Sequence, residues 1–395
     1  MKKRWEYRKL REVATFTRGL TYSKNDEAEL SNNIVLRSNN VDLSTGKLNF
    51  DELKYLRPEF SIPEDKIVKK GSLLMCMSNG SKIHLGKVAL IDEDYPYAFG
   101  GFMALVTPNE ELNPNFFLYS LSSPDYKGFI KKLSAGANIN NIKVKELELF
   151  TIPVPPLSEQ QSIVDYLDSA FAKIDAMKAN AEKALNEAKA LFQASLKEML
   201  EPKEGWKEKK LSDLYDVRDG THDSPKYHET GYPLVTSKNL RGGILDMSNV
   251  SFISEEDYNA INNRSKVDIG DVLFAMIGTI GNPVYIQEKP NYAIKNMALF
   301  KVPSNQSGEF LRYYLLNDNV LLKMQIESKG TTQKFVSLGY LRNFLIKIPD
   351  LSVQQSIVTS LDSLKSKVDR LQANYEKISQ ECDALKQAIL RQVFE

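Results

Sequence analysis

The most regular hydrophobic pattern lies near the end of the chain. From Ile357 to Ile389, apolar residues recur at alternating steps of four and three, with no glycine or proline between them. This repeat predicts a long coiled-coil helix over 351–395. The same register, moved 194 residues towards the N-terminus, predicts a second long helix over 157–200. The predicted seam residues are Ile163, Leu167, Ile174, Met177, Ala181, Ala184, Leu191, Ile357, Leu361, Leu364, Val368, Leu371, Tyr375, Ile378, Leu385 and Ile389.

The two predicted helices are expected to pair with each other. The seam positions Ala181 and Ala184 are small, whereas Tyr375 and Ile378 in the second helix are large. Large and small side chains fill a seam together, and two alanine-rich copies would leave voids. The chain path favours an antiparallel pair of about 55 Å, because the second helix must return from the second domain. A homodimer through either helix is the alternative.

A repeat relates the two halves of the chain. The strings "PPLSEQQSIVDYLDS" (155–169) and "PDLSVQQSIVTSLDS" (349–363) open the two long helices. Each offers a serine, Ser158 or Ser352, as the N-cap. Upstream, "WEYRKLREVATFTRGLT" matches "WKEKKLSDLYDVRDGTH", and "FMALV" matches "NMALF". The period is far longer than that of a solenoid, so the chain is predicted to hold two copies of one domain-plus-helix unit.

Short apolar runs bounded by turn residues predict strands within each copy. They are "GSLLMCM", "GKVALI", "FMALV" and "LELFTIPV" in the first copy, and "GDVLFAM", "NPVYI", "MALFKV" and "FLIKIP" in the second. Helical spacing follows over 116–132 and 310–326. We therefore expect an α+β fold with two similar mixed α/β domains, at 1–156 and 201–350. Two long helices at 157–200 and 351–395 would separate them as an antiparallel coiled coil, giving a pseudo-two-fold internal repeat.

Composition limits the classes of protein. A chain of 395 residues with 42% hydrophobic and 26% charged residues is typical of globular proteins with more than one domain. The sequence has neither an apolar run long enough for a bilayer nor a signal-peptide pattern, so we expect a cytoplasmic chain without membrane contact. A net charge of +1 argues against a uniformly basic nucleic-acid binder, so basic charge would have to concentrate on one face.

Catalytic motifs are sparse. The chain contains no Walker A motif, no Gly-x-Gly-x-x-Gly after a strand and no Asn-Pro-Pro-Tyr. Asp318 with Glu327 and Lys329 loosely matches a nuclease pattern, but a solvated helix surface is the preferred interpretation. Three histidines and two cysteines are too few and too scattered for a metal site. We predict no catalytic residue and no metal ligand, in a chain that binds and positions other molecules.

Polar loops occupy equivalent places in the two halves. They are rich in the residue types that hold phosphates and read base edges, although ordinary turns have a similar composition. The candidate DNA-binding residues of the first half are Arg18, Thr21, Tyr22, Lys24, Arg37, Asn39, Asn40, Asn79, Ser81, Lys82, Asn138, Asn140 and Lys143. Those of the second half are Arg218, Thr221, His222, Lys226, Ser237, Lys238, Asn239, Thr279, Asn282, Lys329, Thr331, Thr332, Gln333 and Lys334.

The full chain resembles the specificity subunit of Type I restriction-modification systems. The resemblance rests on the internal repeat, on the paired strings "IPVPPLSEQQSIVDYLD" and "IKIPDLSVQQSIVTSLD", and on "VRDGTHDSPKY", "GYPLVTSKNL" and "KGTTQKFVSLGYL". It implies two target-recognition domains, each reading one half of a bipartite, asymmetric sequence in double-stranded DNA. It also implies that the coiled coil sets the gap between the half-sites and docks two methylation subunits, which restriction subunits then join.

The resemblance further implies that this chain carries no cofactor. S-adenosylmethionine, ATP and magnesium would belong to the partner subunits. The first copy has "FTRGLTYSKN" where the second has Gly-Thr-His, so contact residues do not transfer from one half to the other. A single-chain methyltransferase-nuclease and a scaffold that binds protein or carbohydrate are the alternative functions.

Overall fold

The computed structural model describes residues 5–135, 141–278, 280–328 and 335–394. The chain divides into two units: unit 1 comprises Met1–Ala181 and Glu376–Glu395, and unit 2 comprises Glu182–Tyr375. No helix within the described ranges combines the length and the hydropathy needed to cross a bilayer. Eight predicted site residues lie outside the described ranges: Asn138, Asn140, Thr279, Lys329, Thr331, Thr332, Gln333 and Lys334.

The first half of the chain forms ten strands and five α-helices within the described ranges. The strands are β1 (Tyr7–Lys9), β2 (Ala14–Arg18), β3 (Glu27–Ala28), β4 (Asn33–Leu36), β5 (Lys54–Leu56), β6 (Leu73–Cys76), β7 (Val88–Leu90), β8 (Ala98–Phe99), β9 (Met103–Pro108) and β10 (Thr151–Pro153). The helices are α1 (Leu10–Val13), α2 (Pro114–Ser120), α3 (Pro124–Ala135), α4 (Val144–Leu147) and α5 (Leu157–Met199).

The second half follows the same order with additions. Its strands are β11 (Lys207–Lys210), β12 (Asp216–Asp219), β13 (Tyr232–Thr236), β14 (Leu240–Arg241), β15 (Ile244–Leu245), β16 (Ser251–Ile253), β17 (Val272–Ala275), β18 (Gly281–Tyr285), β19 (Ala293–Lys295), β20 (Met297–Lys301) and β21 (Leu345–Ile348). Its helices are α6 (Leu211–Leu214), α7 (Glu255–Ser265), α8 (Gly308–Leu316), α9 (Asp318–Ile326), α10 (Leu338–Asn343) and α11 (Leu351–Phe394).

Each unit is built around a four-stranded antiparallel sheet of the same topology. The strand order is β2-β9-β6-β7 in unit 1 and β12-β20-β17-β18 in unit 2. A second sheet, β3-β5-β4-β8 or β16-β13-β19, contains one parallel pair, β4 with β8 or β13 with β19. The predicted α+β fold of two similar mixed domains with two long helices is thus confirmed. The helix α7 is an addition that the repeat pattern did not predict.

Burial on both faces explains why the central strands read as continuous apolar runs. All four residues of β6 are buried, as are all four of β17. The helix that follows the sheet covers one face. In unit 1, α2 begins after the N-cap Asn113 and buries Phe116 and Phe117. In unit 2, α8 begins after the N-cap Ser307 and buries Phe310 and Leu311. Strands without alternation are expected where helices or a second sheet cover both faces.

The long helices α5 and α11 pair with each other inside each unit. In unit 1, Ile163 and Leu167 lie in one hydrophobic cluster with Leu390 and Phe394. Further along α5 the partner is earlier in α11, because the Cys382 thiol donates to the Ile174 carbonyl. This order is antiparallel, as the chain path predicted. In unit 2, the Nζ atom of Lys189 donates to the side chain of Gln372 at 2.8 Å.

Over part of α5, the buried positions lie one residue after the predicted seam positions. Met177 and Leu191 are 59% and 61% exposed, and Ala184 is exposed too. The buried positions there are Leu185 and Phe192. Leu185 and Phe192 carry more apolar area than their neighbours Ala184 and Leu191, so the helix turns them inward. The prediction failed because the register was transferred from α11.

One position of the α11 seam is also corrected. Leu385 is 47% exposed, whereas the next residue, Lys386, is partly buried. The ammonium of Lys386 donates to Asp175 at 2.6 Å and lies 5.3 Å from the ring centroid of Phe171. The long stem of a lysine can cover apolar surface while its charge finds a partner.

The helix starts differ from the prediction. The helices α5 and α11 begin at Leu157 and Leu351, so Ser158 and Ser352 lie inside the first turn. The cap position belongs to Pro156 and Asp350, whose carbonyls accept the backbone N–H groups of Gln160 and Gln354 at 3.0 and 3.1 Å. Neither serine is therefore an N-cap.

Candidate nucleic-acid interface

The polar loops of unit 1 meet at one end of the sheets. We define loop edge 1 as residues 18–24, 37–40, 77–82, 99–103 and 141–143. The strands β2 and β6 run antiparallel to β9, so the ends of β2 and β6 and the start of β9 share one side. The parallel pair β4 and β8 ends on the same side.

Backbone contacts hold loop edge 1 together. The N–H groups of Gly19 and Leu20 donate to the carbonyls of Met103 and Phe99 at 3.0 and 2.7 Å. The Met77 carbonyl accepts from the Ile142 N–H at 2.8 Å. These bonds join loops that are far apart in sequence, and fix each side chain relative to the others.

Unit 2 repeats this frame. We define loop edge 2 as residues 218–226, 236–239, 276–278, 280–282, 294–297 and 335–336. The N–H groups of Gly220 and Thr221 donate to Met297 and Ile294, each at 3.0 Å. The Val336 N–H donates to the Met276 carbonyl at 3.0 Å. The two halves thus present different side chains on one backbone arrangement.

A close backbone approach explains why the frame needs glycine at one place. A Cβ atom on Gly19 would lie 2.0 Å from the Gly100 carbonyl oxygen. A Cβ atom on Gly220, the matching residue, would lie 2.4 Å from the Ile294 carbonyl oxygen. No side chain fits at either position, so glycine is the residue that allows these contacts.

Several candidate cations are exposed at the loop edges. They are Arg18, Lys24 and Lys82 at loop edge 1, and Lys226 and Lys238 at loop edge 2. None of the five forms an ion pair with another residue in the described ranges. Solvated, unpaired cations of this kind can neutralise phosphate groups, a sequence-independent contribution to DNA affinity.

His222 is held between two acceptors. Its Nδ1 lies 2.9 Å from Asn296 Oδ1, and its Nε2 lies 2.8 Å from Asp219 Oδ2. The hydrogen bonds to Asn296 and Asp219 raise the pKa of His222 above its usual value. Arg264 from α7 also contacts Asp219, at 3.3 Å, and opposes the shift. When it is protonated, His222 adds a cation to loop edge 2.

Two predicted base-reading residues have structural roles instead. Asn40 is 1% exposed, accepts the Arg37 N–H and donates to the carbonyls of Asn49 and Glu52. Asn239 is 6% exposed, accepts the Thr236 N–H and donates to two carbonyls in the same way. Each side chain closes its own loop and has no group left for a base. The repeat of "N" in "RSNN" and "TSKN" therefore reflects this closure.

Several other candidate DNA-binding residues already form ion pairs or hydrogen bonds within the chain. Arg218 pairs with Asp216 at 2.6 Å, and Lys143 pairs with Glu146 at 3.7 Å. Asn39 donates to Glu52 at 2.8 Å, and Asn79 and Ser237 donate to Ser38 and Asn296. Thr21 and Ser81 are exposed, whereas Tyr22, Arg37, Thr221 and Asn282 are half-buried.

Sequence reasoning missed three residues at the loop edges, Phe102, Lys295 and Asn296, and also Arg264 of α7, which donates to the Gly220 carbonyl of loop edge 2. Phe102 is 72% exposed. Asn296 occupies the left-handed region at a φ of 54°. Lys295 is buried and donates to Ser224 at 2.7 Å. The pairing of "FMALV" with "NMALF" was the available signal for Phe102 and Asn296, since these residues differ within a matched string.

Two other kinds of site, a metal site and a nuclease site, find little support in the structure. No group of three or more His, Cys, Asp or Glu in the described part of the chain is arranged to hold a metal ion. Asp318 begins α9, and Glu327 accepts a hydrogen bond from Tyr340 at 2.7 Å. These positions fit the helix-surface interpretation of the loose nuclease pattern.

A family model matches the chain twice. The model described as "Type I restriction modification DNA specificity domain" matches residues 2–187 and 203–380. The chain is similar to the specificity subunit of the EcoKI Type I restriction enzyme from Escherichia coli K12. The two are 27% identical over 416 residues, which covers 99% of this chain and 88% of that protein. The StySPI specificity subunit of Salmonella potsdam is 26% identical, with the same coverage.

Solved structures share the fold. A chain from a structure of a type I R-M system, solved to explain complex assembly and conformational transition, gives a TM-score of 0.74 at 19% identity. It covers 98% of this chain and 96% of that one. The HsdS subunit from Thermoanaerobacter tengcongensis gives a TM-score of 0.55 at 19% identity, with 99% and 96% covered.

Proposed function

Because the chain belongs to the Type I restriction modification DNA specificity domain family, we propose that it is the DNA-recognition subunit of a Type I restriction-modification complex. Its target-recognition domains are residues 1–156 and 201–350, and each reads one half of a bipartite, asymmetric target. The chain itself is not catalytic. It selects the DNA on which other subunits act.

The observation that carries this proposal is the pair of loop edges. Both use the same backbone frame, from Gly19 with Met103 to Gly220 with Met297. Their exposed cations suit phosphate contacts, whereas the other side chains differ between the two edges. A repeated frame with different side chains is what two unlike half-sites require. Direct base contacts then supply about 1–3 kcal/mol of discrimination for each well-placed polar pair.

The long helices have a separate role in the proposal. The paired α5 and α11 set the number of base pairs between the half-sites, and dock two methylation subunits. Restriction subunits join through that complex. S-adenosylmethionine, ATP and magnesium act in those partner subunits, in the cytoplasm. With a net charge of only +1, the isolated chain should bind DNA weakly and with strong salt dependence.

Mapping methylated bases in a host that carries this chain and its methylation subunits tests the proposal. A bipartite target supports it, and methylation without a defined sequence counts against it. Removal of one heptad from each long helix shortens the helices by about 10 Å. The gap should then shrink by about three base pairs at 3.4 Å per step. An unchanged gap would remove the spacer role while leaving the recognition role intact.

An enzyme is the second candidate function, and methyl transfer by the purified chain alone would establish it. The missing motifs of the sequence argue against it. A scaffold that binds protein or carbohydrate is the third candidate function. If the chain were such a scaffold, an exchange of residues 1–155 would leave the methylated sequence unchanged.

A further inference from the structure

One aromatic side chain stands out at loop edge 1. Phe102 is 72% exposed, although it lies among loops that carry mainly polar side chains. A single exposed apolar residue is common on protein surfaces and needs no function. Its location at the meeting point of three loops makes this one different.

The backbone of Phe102 is fixed. Its carbonyl accepts two N–H groups from the end of β6, those of Met77 at 2.9 Å and Ser78 at 3.2 Å. Gly100, two residues earlier, forms a parallel β-bridge with Leu20. These bonds fix the backbone of Phe102, and so the direction of its Cα–Cβ bond. The ring itself is exposed, on the same loop edge as the exposed cations Arg18 and Lys82.

The matching position in unit 2 carries a different chemistry. Phe102 and Asn296 each precede the methionine that starts the equivalent strand, Met103 of β9 or Met297 of β20. Asn296 is held there by its contact with His222 and by the Ser237 hydroxyl, which donates to its carbonyl. One edge thus offers an apolar ring where the other offers an amide.

We propose that Phe102 is a specificity-determining residue, which contacts the 5-methyl group of a thymine in the half-site read by unit 1. This inference rests on the proposed function. The thymine methyl is the apolar feature among base edges in the major groove. Every other base edge there presents polar groups, which a phenyl ring would strip of water without replacing their hydrogen bonds.

The test uses the full chain in complex with its methylation subunits, and synthetic duplexes of the mapped target. In the half-site assigned to unit 1 by exchange of residues 1–155, each thymine is replaced in turn by uracil, which lacks only the methyl group. At one position the wild-type complex should lose affinity by about fourfold, the effect of one buried methyl group. Phe102→Ala should bind the thymine and uracil duplexes equally at that position.

A matched control separates this effect from a general loss of apolar surface. Leu30 is 77% exposed and precedes β4, at the end of that strand away from loop edge 1. Leu30→Ala should keep the full sensitivity to uracil. Thermal unfolding of each full-length variant should match that of the wild type, which shows that the variants are folded.

The proposal is overturned if the half-site of unit 1 contains no thymine. It is also overturned if the wild type and Phe102→Ala respond alike to uracil at every position. Either result leaves the proposed function standing, provided that the wild-type complex recognises a bipartite target. A wild-type complex without such a target would contradict the proposed function, and this inference with it.

Discussion

The Gln160 side chain accepts the backbone N–H of Asn113 at 2.8 Å, and so joins the start of α5 to the start of α2. Its amide nitrogen donates to the carbonyls of Glu111 and Pro155, each at 2.8 Å. Gln354 makes the matching contact with the Ser307 N–H at 3.0 Å in unit 2. Both glutamines are buried. The repeated Gln-Gln string thus marks a joint between the long helix and its domain.

A second contact strengthens each joint. Tyr119 donates to Asp168 in unit 1, and Tyr313 donates to Asp362 in unit 2. The aspartates belong to the repeated Leu-Asp-Ser string, about two turns further along the helix from the glutamines. The repeated strings "QQSIV" and "LDS" therefore each supply one side chain, a glutamine or an aspartate, that binds the globular domain.

Removal of the joint should destabilise unit 2. Gln354→Leu leaves the part-buried N–H of Ser307 without its acceptor, at a cost of about 1–3 kcal/mol in the free energy of unfolding. The adjacent Gln355 is exposed, so Gln355→Leu should change that free energy by less than about 0.5 kcal/mol. Urea unfolding of the full chain measures both. Equal free energies for the two variants would show that the joint is not needed for stability.

Gly19→Ala should disrupt loop edge 1. The new Cβ atom would lie 2.0 Å from the Gly100 carbonyl oxygen, so the backbone must move. We expect a loss of about 1–3 kcal/mol in stability, together with weaker recognition of one half-site. Gly128→Ala is the control, because this glycine lies within α3 with open space around it. The control should gain up to about 1 kcal/mol from helix propensity. Methylation assays measure recognition of the target. If Gly19→Ala recognised both half-sites as the wild type does, the loop frame would not depend on this glycine.

Two neighbouring residues at loop edge 2 should respond in different ways. Lys238 is exposed, and Lys238→Ala should weaken DNA binding alike for all sequences and reduce the salt slope by about one. Asn239→Ala should lower stability, because the loop loses its internal hydrogen bonds. Salt titrations of the complex and thermal unfolding of the chain separate the two effects. A changed base preference in folded Asn239→Ala would restore this residue as a base contact.

DNA binding through unit 2 should depend on pH. Because the hydrogen bonds to Asn296 and Asp219 raise the pKa of His222 in the folded chain, its charged form persists to higher pH than that of an ordinary histidine and is lost as pH rises through the raised pKa. Asn296, Asp219 and Arg264 are the groups that influence it. Affinity should therefore fall as pH rises through that range, and His222→Gln should flatten the profile. If the wild type and His222→Gln showed the same pH dependence of DNA affinity, a group other than His222 would be its cause.

Part of this architecture could be predicted from the sequence. The strands β6 and β17 are continuous apolar runs, and the seam of α11 has a strict repeat, so pattern alone identifies them. The α5 seam was misplaced because alanines such as Ala184 fit either side of a helix. The burial of Asn40 and Asn239 depends on the carbonyls that the loop brings together. That is a tertiary property, and the polar letters of the loop carry no sign of it.

The exchange of residues 1–155 for the same region of a relative with a different target tests the central claim most directly. Methylated bases are mapped for the exchanged and the original chain, each with the same methylation subunits. If each unit reads one half-site, one half of the target changes to that of the donor, and the other half stays as it was. A target that changes in both halves, or in neither, would contradict the assignment of one half-site to each unit.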